Sequence, residues 1–171
     1  MIRVLLVCAG NICRSPTAES VFRYLLQAEK LAGSIEVDSA GTYGDHVGEA
    51  PDERAQSAAA RRGYDLSGLR ARAVGAADFS RFDLILAMDR HCLAALERLC
   101  PARRIGQLGL FMDYAKVFAD DEVPDPYYNT DRGFEIVLDM VEDAARGLLD
   151  ALKSQFAGTV GAGAKPPSKP A

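Results

Sequence analysis

The sequence predicts an α/β protein with a single domain, in which a twisted parallel sheet of four strands carries helices on both faces as a three-layer sandwich. Short aliphatic runs alternate along the chain with longer segments of helical periodicity, which is typical of strand–helix–strand units. The aliphatic runs are almost continuous, as in strands that are buried on both faces. The chain has 171 residues, and 49% of them are hydrophobic, so it is long enough for one substantial core.

The first half of the chain predicts two strands and two helices. In order, they are strand, helix, strand and helix at residues 2–7, 15–29, 34–40 and 51–62. The first helix repeats apolar residues at helical spacing, and Pro16 lies in its first turn, where a missing N–H costs little. Pro51 and Asp52 open the second helix, and Gly63 is typical of the residue that ends one.

The second half predicts two more strands, two helices and a long loop. FDLILAMD is a third buried strand, and the helix after it continues until Pro101 breaks it. RRIGQLGL predicts a short fourth strand, and residues 113–129 predict loop. A long helix closes the domain, and its buried stripe is Phe134, Val137, Leu138, Val141, Ala145, Leu148 and Leu152. We place the domain at residues 1–156 and predict a disordered tail at residues 157–171, which are small and rich in proline and glycine.

Composition argues against several classes of protein. The net charge of −4 does not fit a general nucleic-acid binder. The opening run MIRVLLVCAG is too short for a membrane span and lacks the cleavage pattern of a secretory signal, so we expect a cytoplasmic protein with free thiols. The chain has four cysteines and two histidines, and they do not have the spacing of a zinc site. We therefore expect no metal and no cofactor.

The loop after the first strand, within VCAGNICRSP, is the strongest candidate for a functional site, because ligands of such sheets bind beyond the carboxyl ends of the strands. A loop of this length can turn successive N–H groups inward to form an anion site, and the following helix adds the partial positive charge of its N-terminus. Arg14 supplies a two-pronged donor for phosphate oxygens. Gly10 permits backbone geometry that a side chain would resist, and Asn11 tolerates a left-handed conformation. The loop suits a tetrahedral dianion.

Cys8 begins this loop, six positions before Arg14. Helix N-termini and nearby cations favour the thiolate form of cysteine, which is the nucleophile. We therefore expect Arg14 and the loop amides to hold a phosphate while Cys8 attacks its phosphorus, with Ser15 donating a hydrogen bond to the sulfur. The alternative is that Cys8 is a small buried hydrophobe and Arg14 a surface charge.

EVPDPYYN supplies a candidate acid, since Asp125 lies between two prolines that stiffen the backbone around it. Phosphate transfer to a thiol releases an alkoxide or phenolate, and a positioned acid that protonates it contributes about 10²–10⁴-fold. Tyr127 and Tyr128 are suited to stacking on a phenyl ring. Taken alone, this segment would be an ordinary turn with a solvated aspartate; beside the phosphate loop, it predicts a general acid.

Five motifs, in order, resemble the low-molecular-weight protein tyrosine phosphatases over about residues 2–153: VCAGNICRSPTAE, DSAGT, APDERA, FDLILAMD and VPDPYYN. The resemblance implies a flavodoxin-like strand order of 2-1-3-4. It implies Cys8 as nucleophile, Arg14 as phosphate clamp, and Asp125 as general acid and then base. The residues it implies in shaping or lining the phosphate loop are Ala9, Gly10, Asn11, Ile12, Cys13, Ser15 and Ser39.

The resemblance also implies a regulatory thiol and a class of substrate. Cys13 matches a second loop cysteine that forms a reversible disulfide with Cys8 in this family. The substrate would be a phosphotyrosine protein, for which a bacterial tyrosine kinase is a candidate by analogy, and the product inorganic phosphate. The family uses no metal. We expect a monomer or a weak dimer.

Three positions depart from the family's pattern. Leu69 replaces a histidine that supports the loop in many members, so we expect a different brace. Asp45 replaces an aromatic wall residue, for which Tyr43 is a candidate substitute. Cys92 and Cys100 are not expected of a plain phosphatase.

The sequence leaves two other functions open. An arsenate reductase of the same fold would use Cys8 and pass the oxidation to two further cysteines, a role that Cys92 and Cys100 suggest. Their spacing of about two helical turns also fits two core residues. A catalytically silent phosphate-binding module is the second alternative, and the presence of Cys8, Arg14 and Asp125 together argues against it. Asp89 either caps the next helix or lies at the edge of the site, and His46 and His91 are interpreted as surface residues.

Overall fold

The computed structural model describes residues 1–157 and contains one sheet. Its strands are β1 Ile2–Cys8, β2 Ile35–Gly41, β3 Leu84–Ala87 and β4 Leu108–Leu110. Its α-helices are α1 Arg14–Ala28, α2 Glu53–Ala60, α3 Asp78–Arg81, α4 Arg90–Leu99 and α5 Asp131–Ala157. Two 3₁₀ segments lie at Ala102–Gln107 and Phe111–Tyr114. The predicted tail, residues 157–171, lies outside the described residues except for its first position.

The sheet is parallel throughout, with the strand order β2-β1-β3-β4. β1 therefore lies between two neighbours: Val4 pairs with Val37 on one side and with Leu84 on the other. The predicted α/β class, the four-stranded parallel sheet and the order 2-1-3-4 are confirmed. Because β1 is an inner strand, the loop that follows Cys8 opens at the middle of the carboxyl edge.

Hydrophobic side chains cover both faces of the sheet. Val4 and Leu6 belong to one buried cluster, which they share with residues of α1 and α5. Leu5 and Val7 point to the other face, where they pack with Phe79 and other residues around α3 and α4. Successive side chains of a strand point to opposite faces, so β1 connects the two clusters and the three-layer arrangement is confirmed. All seven residues of the stripe predicted on the last helix are buried.

The structure differs from the predicted strands and helices in where they end, and it contains short helices that the sequence did not predict. β3 is shorter than the segment FDLILAMD, and α2 ends at Ala60 rather than near Arg62, because a turn leads to Gly63, whose φ is +86°. Helix α3 and the 3₁₀ segments are not predicted, since units of four to six residues are too short to show a period. The short fourth strand lies within RRIGQLGL.

Candidate active site

The loop between β1 and α1, which we call the phosphate loop (residues 8–14), is held against the end of β2. The N–H of Thr42 donates to the carbonyl oxygen of Cys8 over 2.9 Å, and that of Tyr43 to the carbonyl oxygen of Ala9 over 3.0 Å. A Cβ atom on Gly41 would lie only 2.6 Å from the same Ala9 oxygen. The loop can therefore approach β2 this closely because residue 41 has no side chain.

Two residues give the phosphate loop its shape in different ways. Asn11 has a φ of +56°, so it adopts the left-handed conformation that its type tolerates. Gly10 does not adopt a positive φ, which corrects the expectation that its backbone freedom is what the loop needs. A Cβ on Gly10 would instead meet the Cδ2 atom of His46 at 3.0 Å, so this position is constrained by a close neighbour.

The Cys8 sulfur lies at the floor of the loop, where the residue is 2% exposed. It is 3.0 Å from Ser15 Oγ and accepts the backbone N–H of Asn11 at 3.3 Å. The side-chain amide of Asn11 donates to Ser15 Oγ and to Ser39 Oγ, each over 2.9 Å. Because Ser15 Oγ accepts from Asn11, its single hydrogen can be donated to the sulfur or to the carbonyl oxygen of Ala40, which is 3.4 Å away. Asn11, Ser15 and Ser39 thus form a hydrogen-bonded layer behind Cys8.

Two residues that brace this layer were missed from the sequence. Ser39 donates to the carboxylate of Glu19 over 2.5 Å, and the backbone N–H of Arg72 donates to Asn11 Oδ1 over 2.9 Å. Burial raises the pKa of Glu19, against the hydrogen bond from Ser39 and the charge of Arg23. Leu69 packs against the hydrophobic core. The layer is therefore braced by a main-chain N–H and a buried carboxyl group.

Arg14 begins α1 with its side chain 3% exposed. Its Nη1 donates to Asp89 Oδ2 over 2.6 Å and to the carbonyl oxygen of Val123 over 3.0 Å, and its Nη2 donates to Asp125 Oδ2 over 3.2 Å. Burial opposes the charge, but Cys8 and the two carboxylates outweigh it and raise the pKa of Arg14. The guanidinium is therefore charged and held from several sides.

Asp89 performs both of the roles considered for it. Its Oδ1 accepts the backbone N–H of Cys92 over 2.7 Å, which caps α4, while its Oδ2 binds Arg14. Burial alone would raise the pKa of Asp89, but the N–H of Cys92 and the Arg14 guanidinium bring it below the ordinary value. One carboxylate thus fixes the start of a helix and the orientation of the arginine.

Asp125 lies on a segment that we call the acid loop (residues 123–129). The N–H of Val123 donates to Met88 O over 2.8 Å, which attaches the loop to the end of β3. The side chain of Asp125 is 51% exposed, and its Oδ1 accepts the N–H of Tyr127 over 3.1 Å. The carboxyl group therefore faces Arg14 from a turn that it helps to form.

A cavity of about 260 Å³ contains all three candidate catalytic side chains. It is lined by Cys8, Ala9, Gly10, Ile12, Cys13, Arg14, Tyr43, Asp45, His46, Asp125, Tyr127 and Tyr128. Of the predicted site residues, only Asn11, Ser15 and Ser39 are outside this lining, in the layer behind it. His46 was interpreted as a surface residue, but it lines the cavity.

Hydrogen bonds and ring contacts hold the rim of the cavity. The Tyr43 hydroxyl is 2.7 Å from Nε2 of His91, and Nδ1 of His46 is 2.7 Å from Glu49 Oε2. On the other side, the rings of Tyr127 and Tyr128 meet edge to face with centroids 4.9 Å apart. Polar and aromatic groups therefore surround an opening that leads to the Cys8 sulfur and the Arg14 guanidinium.

The other cysteines are buried and free of disulfides. Burial raises the pKa of Cys13, to which the nearby Asp52 carboxylate adds. Cys92 is fully buried and Cys100 is 9% exposed, both in the cluster on the α4 side of the sheet. Within residues 1–157, no group of three or more histidine, cysteine or acidic side chains is arranged to hold a metal ion. No helix in the same range is long and apolar enough to cross a membrane.

Both the sequence and the fold of this chain are similar to those of known proteins. The family model described as low molecular weight phosphotyrosine protein phosphatase matches residues 3–157. The chain is 46% identical over 159 residues to the low molecular weight protein-tyrosine-phosphatase of Streptomyces coelicolor, covering 91% of this chain and 96% of that protein. It is 39% identical over 153 residues to the human low molecular weight phosphotyrosine protein phosphatase, covering 86% and 93%. The crystal structure of a protein tyrosine phosphatase from Entamoeba histolytica superposes with a TM-score of 0.88 at 36% identity, covering 91% of this chain and 99% of the other.

Proposed function

This chain belongs to the low molecular weight phosphotyrosine protein phosphatase family and is a phosphatase, and from that premise we propose that it hydrolyses phosphotyrosine in proteins through a phosphocysteine on Cys8. The observation that carries the proposal is the position of three side chains in one cavity: the sulfur of Cys8, the guanidinium of Arg14 and the carboxyl of Asp125. Each corresponds to one requirement of the reaction.

Binding of the phosphate is the first requirement. Nη1 of Arg14 already donates to Asp89 and to the carbonyl of Val123. Phosphate oxygens would therefore take the other edge of the guanidinium, Nε and Nη2, in a two-pronged contact, in which they replace Asp125 as the acceptor of Nη2. The N-terminus of α1 and the N–H groups of the phosphate loop add positive potential at the same place.

Transfer to sulfur follows. A lone pair of the Cys8 thiolate forms an S–P bond while the P–O bond to the tyrosine oxygen breaks and that oxygen takes the electron pair. Asp125 donates its proton to the departing oxygen, so tyrosine leaves as a neutral phenol. For this step Asp125 must be protonated and Cys8 ionised, and Arg14 stabilises the charge on the transferring group.

Hydrolysis of the phosphocysteine completes the cycle. Asp125, now a carboxylate, accepts a proton from water as the water oxygen bonds to phosphorus. The S–P bond breaks, its electron pair returns to sulfur, and inorganic phosphate leaves. A hydrogen bond from the Ser15 hydroxyl, whose oxygen is 3.0 Å from the sulfur, would stabilise the thiolate as a leaving group.

The residues at the rim of the cavity favour a substrate with an aromatic ring. Tyr127 and Tyr128 offer ring surfaces on one side, and Tyr43 offers another on the opposite loop. Asp45 lines the cavity where many members carry an aromatic residue, so the wall on that side is formed by Tyr43, which His91 holds by a hydrogen bond. A phosphotyrosine side chain would lie between these rings with its phosphate on the loop.

The buried cysteines favour a phosphatase over an arsenate reductase. A reductase of this fold would need Cys92 and Cys100 to reach Cys8 in turn, whereas both are packed in the core on the α4 side of the sheet. Burial raises the pKa of Cys92, with Asp89 adding to it, which disfavours the thiolate needed for exchange.

Parallel assays on phosphotyrosine, phosphoserine and arsenate with thioredoxin test the proposal. We expect turnover of phosphotyrosine alone. Arsenate turnover dependent on Cys92 and Cys100 would replace this function with the reductase, and phosphate binding without turnover would leave a silent binding module. The reversible Cys8–Cys13 disulfide, a tyrosine kinase as physiological substrate, the cytoplasmic location and a monomeric or weakly dimeric state stay predictions.

A further inference from the structure

Arg54, near the start of α2, contacts the acid loop from outside the cavity. Its Nη2 donates to the carbonyl oxygen of Tyr127 over 2.9 Å, and its Nη1 to that of Asn129 over 3.4 Å. These carbonyls belong to the turn that begins with Asp125. The guanidinium therefore attaches the second half of the acid loop to α2.

The same guanidinium is joined to the phosphate loop through Asp52. Its Nε and Nη2 donate to the two carboxylate oxygens of Asp52 over 3.0 Å and 2.8 Å. The backbone N–H of Asp52 in turn donates to the carbonyl oxygen of Ile12 over 2.8 Å. The hydrogen bonds from Arg54 lower the pKa of Asp52, so its carboxylate is ionised at neutral pH. A continuous path of hydrogen bonds thus runs from the nucleophile's loop to the acid's loop.

Packing keeps Arg54 in place. Its guanidinium carbon lies 4.8 Å from the ring centroid of Phe134 and 5.7 Å from that of Tyr127. Phe134 is 2% exposed, so one face of the guanidinium rests on the core. The planar guanidinium has five N–H donors, so it can donate to a carboxylate and to two carbonyl oxygens at once. A lysine ammonium could not do this with the same geometry.

We propose that Arg54 is a positioning residue for the general acid, which through Asp52 fixes the distance between the acid loop and the phosphate loop. The proposal rests on the proposed function, because it assigns the acid to Asp125. Half of the Asp125 side chain is exposed. The direction in which its carboxyl group points therefore depends on the position of the main chain of the acid loop. A displacement on the order of 1 Å can cost about 10²-fold in rate.

Arg54→Met tests the proposal, since methionine keeps much of the length and apolar packing but none of the donors. Arg61→Met is the matched control, because Arg61 follows the same helix and pairs with Glu135 on α5, away from the acid loop. Asp125→Asn is the reference for loss of the acid. Each protein is assayed on aryl phosphates whose leaving phenols range from strongly acidic nitrated phenols to tyrosine itself, with inhibition by inorganic phosphate and alkylation of Cys8 by iodoacetate measured alongside.

For Arg54→Met we expect kcat/KM, which reports the steps up to departure of the phenol, to fall about tenfold to a hundredfold on tyrosine-like esters and less than about twofold on the nitrated esters, because only poor leaving groups need the proton. Phosphate inhibition and Cys8 alkylation should match those of the unchanged protein and of Arg61→Met. An equal loss on every ester, no loss at all, or a change confined to KM for phosphopeptides would overturn the proposal. If Asp125→Asn itself shows no dependence on the leaving group, the assignment of the acid fails as well; if it does and Arg54→Met does not, the positioning role alone fails.

Discussion

Arg14 and Asp125 are 111 positions apart in the chain, yet Nη2 of the arginine lies 3.2 Å from Oδ2 of the aspartate. The first side chain is buried and the second is half exposed. The ion pair therefore joins the fixed floor of the cavity to a side chain on its rim. A phosphate held on the Nε and Nη2 edge of Arg14 would lie beside this carboxyl group, where the leaving oxygen must receive its proton.

Replacement of Cys8 by serine should abolish turnover and retain binding of the product. Serine can keep the contact with Ser15, but it is a much weaker nucleophile at neutral pH than a thiolate. Steady-state hydrolysis of an aryl phosphate should fall below detection, while calorimetry should give a Kd for inorganic phosphate within about tenfold of the original, because Arg14 and the loop amides are unchanged. Residual turnover comparable with that of the unchanged protein would eliminate the covalent mechanism.

Replacement of Asp125 by asparagine should slow the release of poor leaving groups. Asparagine has a similar shape and can accept the hydrogen bond from Tyr127, but it has no proton to donate as an acid. We expect kcat/KM, which reports the steps up to departure of the leaving group, to fall about 10²–10³-fold for phosphotyrosine and far less for a nitrated aryl phosphate. The slope of log kcat/KM against leaving-group pKa measures the difference, and a slope equal to that of the unchanged protein would contradict the acid role.

A methyl group at Gly41 should disturb the phosphate loop. The added Cβ would lie 2.6 Å from the carbonyl oxygen of Ala9, which is main chain and cannot rotate away. We expect Gly41→Ala to lower the free energy of unfolding by about 1–3 kcal/mol and to weaken phosphate binding at least tenfold. Gly33→Ala is the control, since a Cβ there meets nothing within 4 Å. Unfolding in urea and phosphate titration check both variants, and equal behaviour of the two would remove the steric argument.

The sequence predicts the part of this site that is continuous in the chain. Cys8, Asn11, Arg14 and Ser15 fall in one short stretch where a strand passes into a helix, and the types of the residues there already indicate an anion site. Asp125 could be named as a candidate acid because two prolines and a tyrosine pair single it out from the other acidic residues. Strand order followed from the resemblance to a family and not from the aliphatic pattern, which does not encode neighbours.

The residues that were missed act through contacts between distant segments. In the sequence, Glu19 is an ordinary polar residue of a predicted helix. Only the fold shows that it accepts a hydrogen bond from Ser39. Arg72 contributes a main-chain N–H, which no residue type signals. The sequence suggested the wrong reason for a glycine at position 10. A sequence cannot distinguish a glycine required by its φ from one required by a close neighbour such as His46.

Acid should weaken the attachment of the loop at residues 116–118 to α5. Asp143 is buried on that helix and accepts the N–H groups of Lys116, Val117 and Phe118. Burial alone would raise the pKa of Asp143, but these three N–H groups outweigh it and the pKa lies below the ordinary value. A depressed pKa means that the stabilisation is complete above the ordinary value of about 4 and is lost as the pH falls through the folded-state value.

Replacement of Asp143 by asparagine should therefore cost about 1.5–3 kcal/mol at pH 7, the value of hydrogen bonds to a charged group, and progressively less below pH of about 4. Asp150→Asn is the control. Asp150 lies on the same helix as Asp143 and is an exposed partner of Lys116, so its replacement should lower the free energy of unfolding by less than about 1 kcal/mol. Urea unfolding of the three proteins from pH 7 down to the acid limit of folding measures the differences. A constant difference between Asp143→Asn and the unchanged protein across that range would show that the ionised carboxylate is not what the loop requires, since a loss that came from shape alone would not depend on the proton.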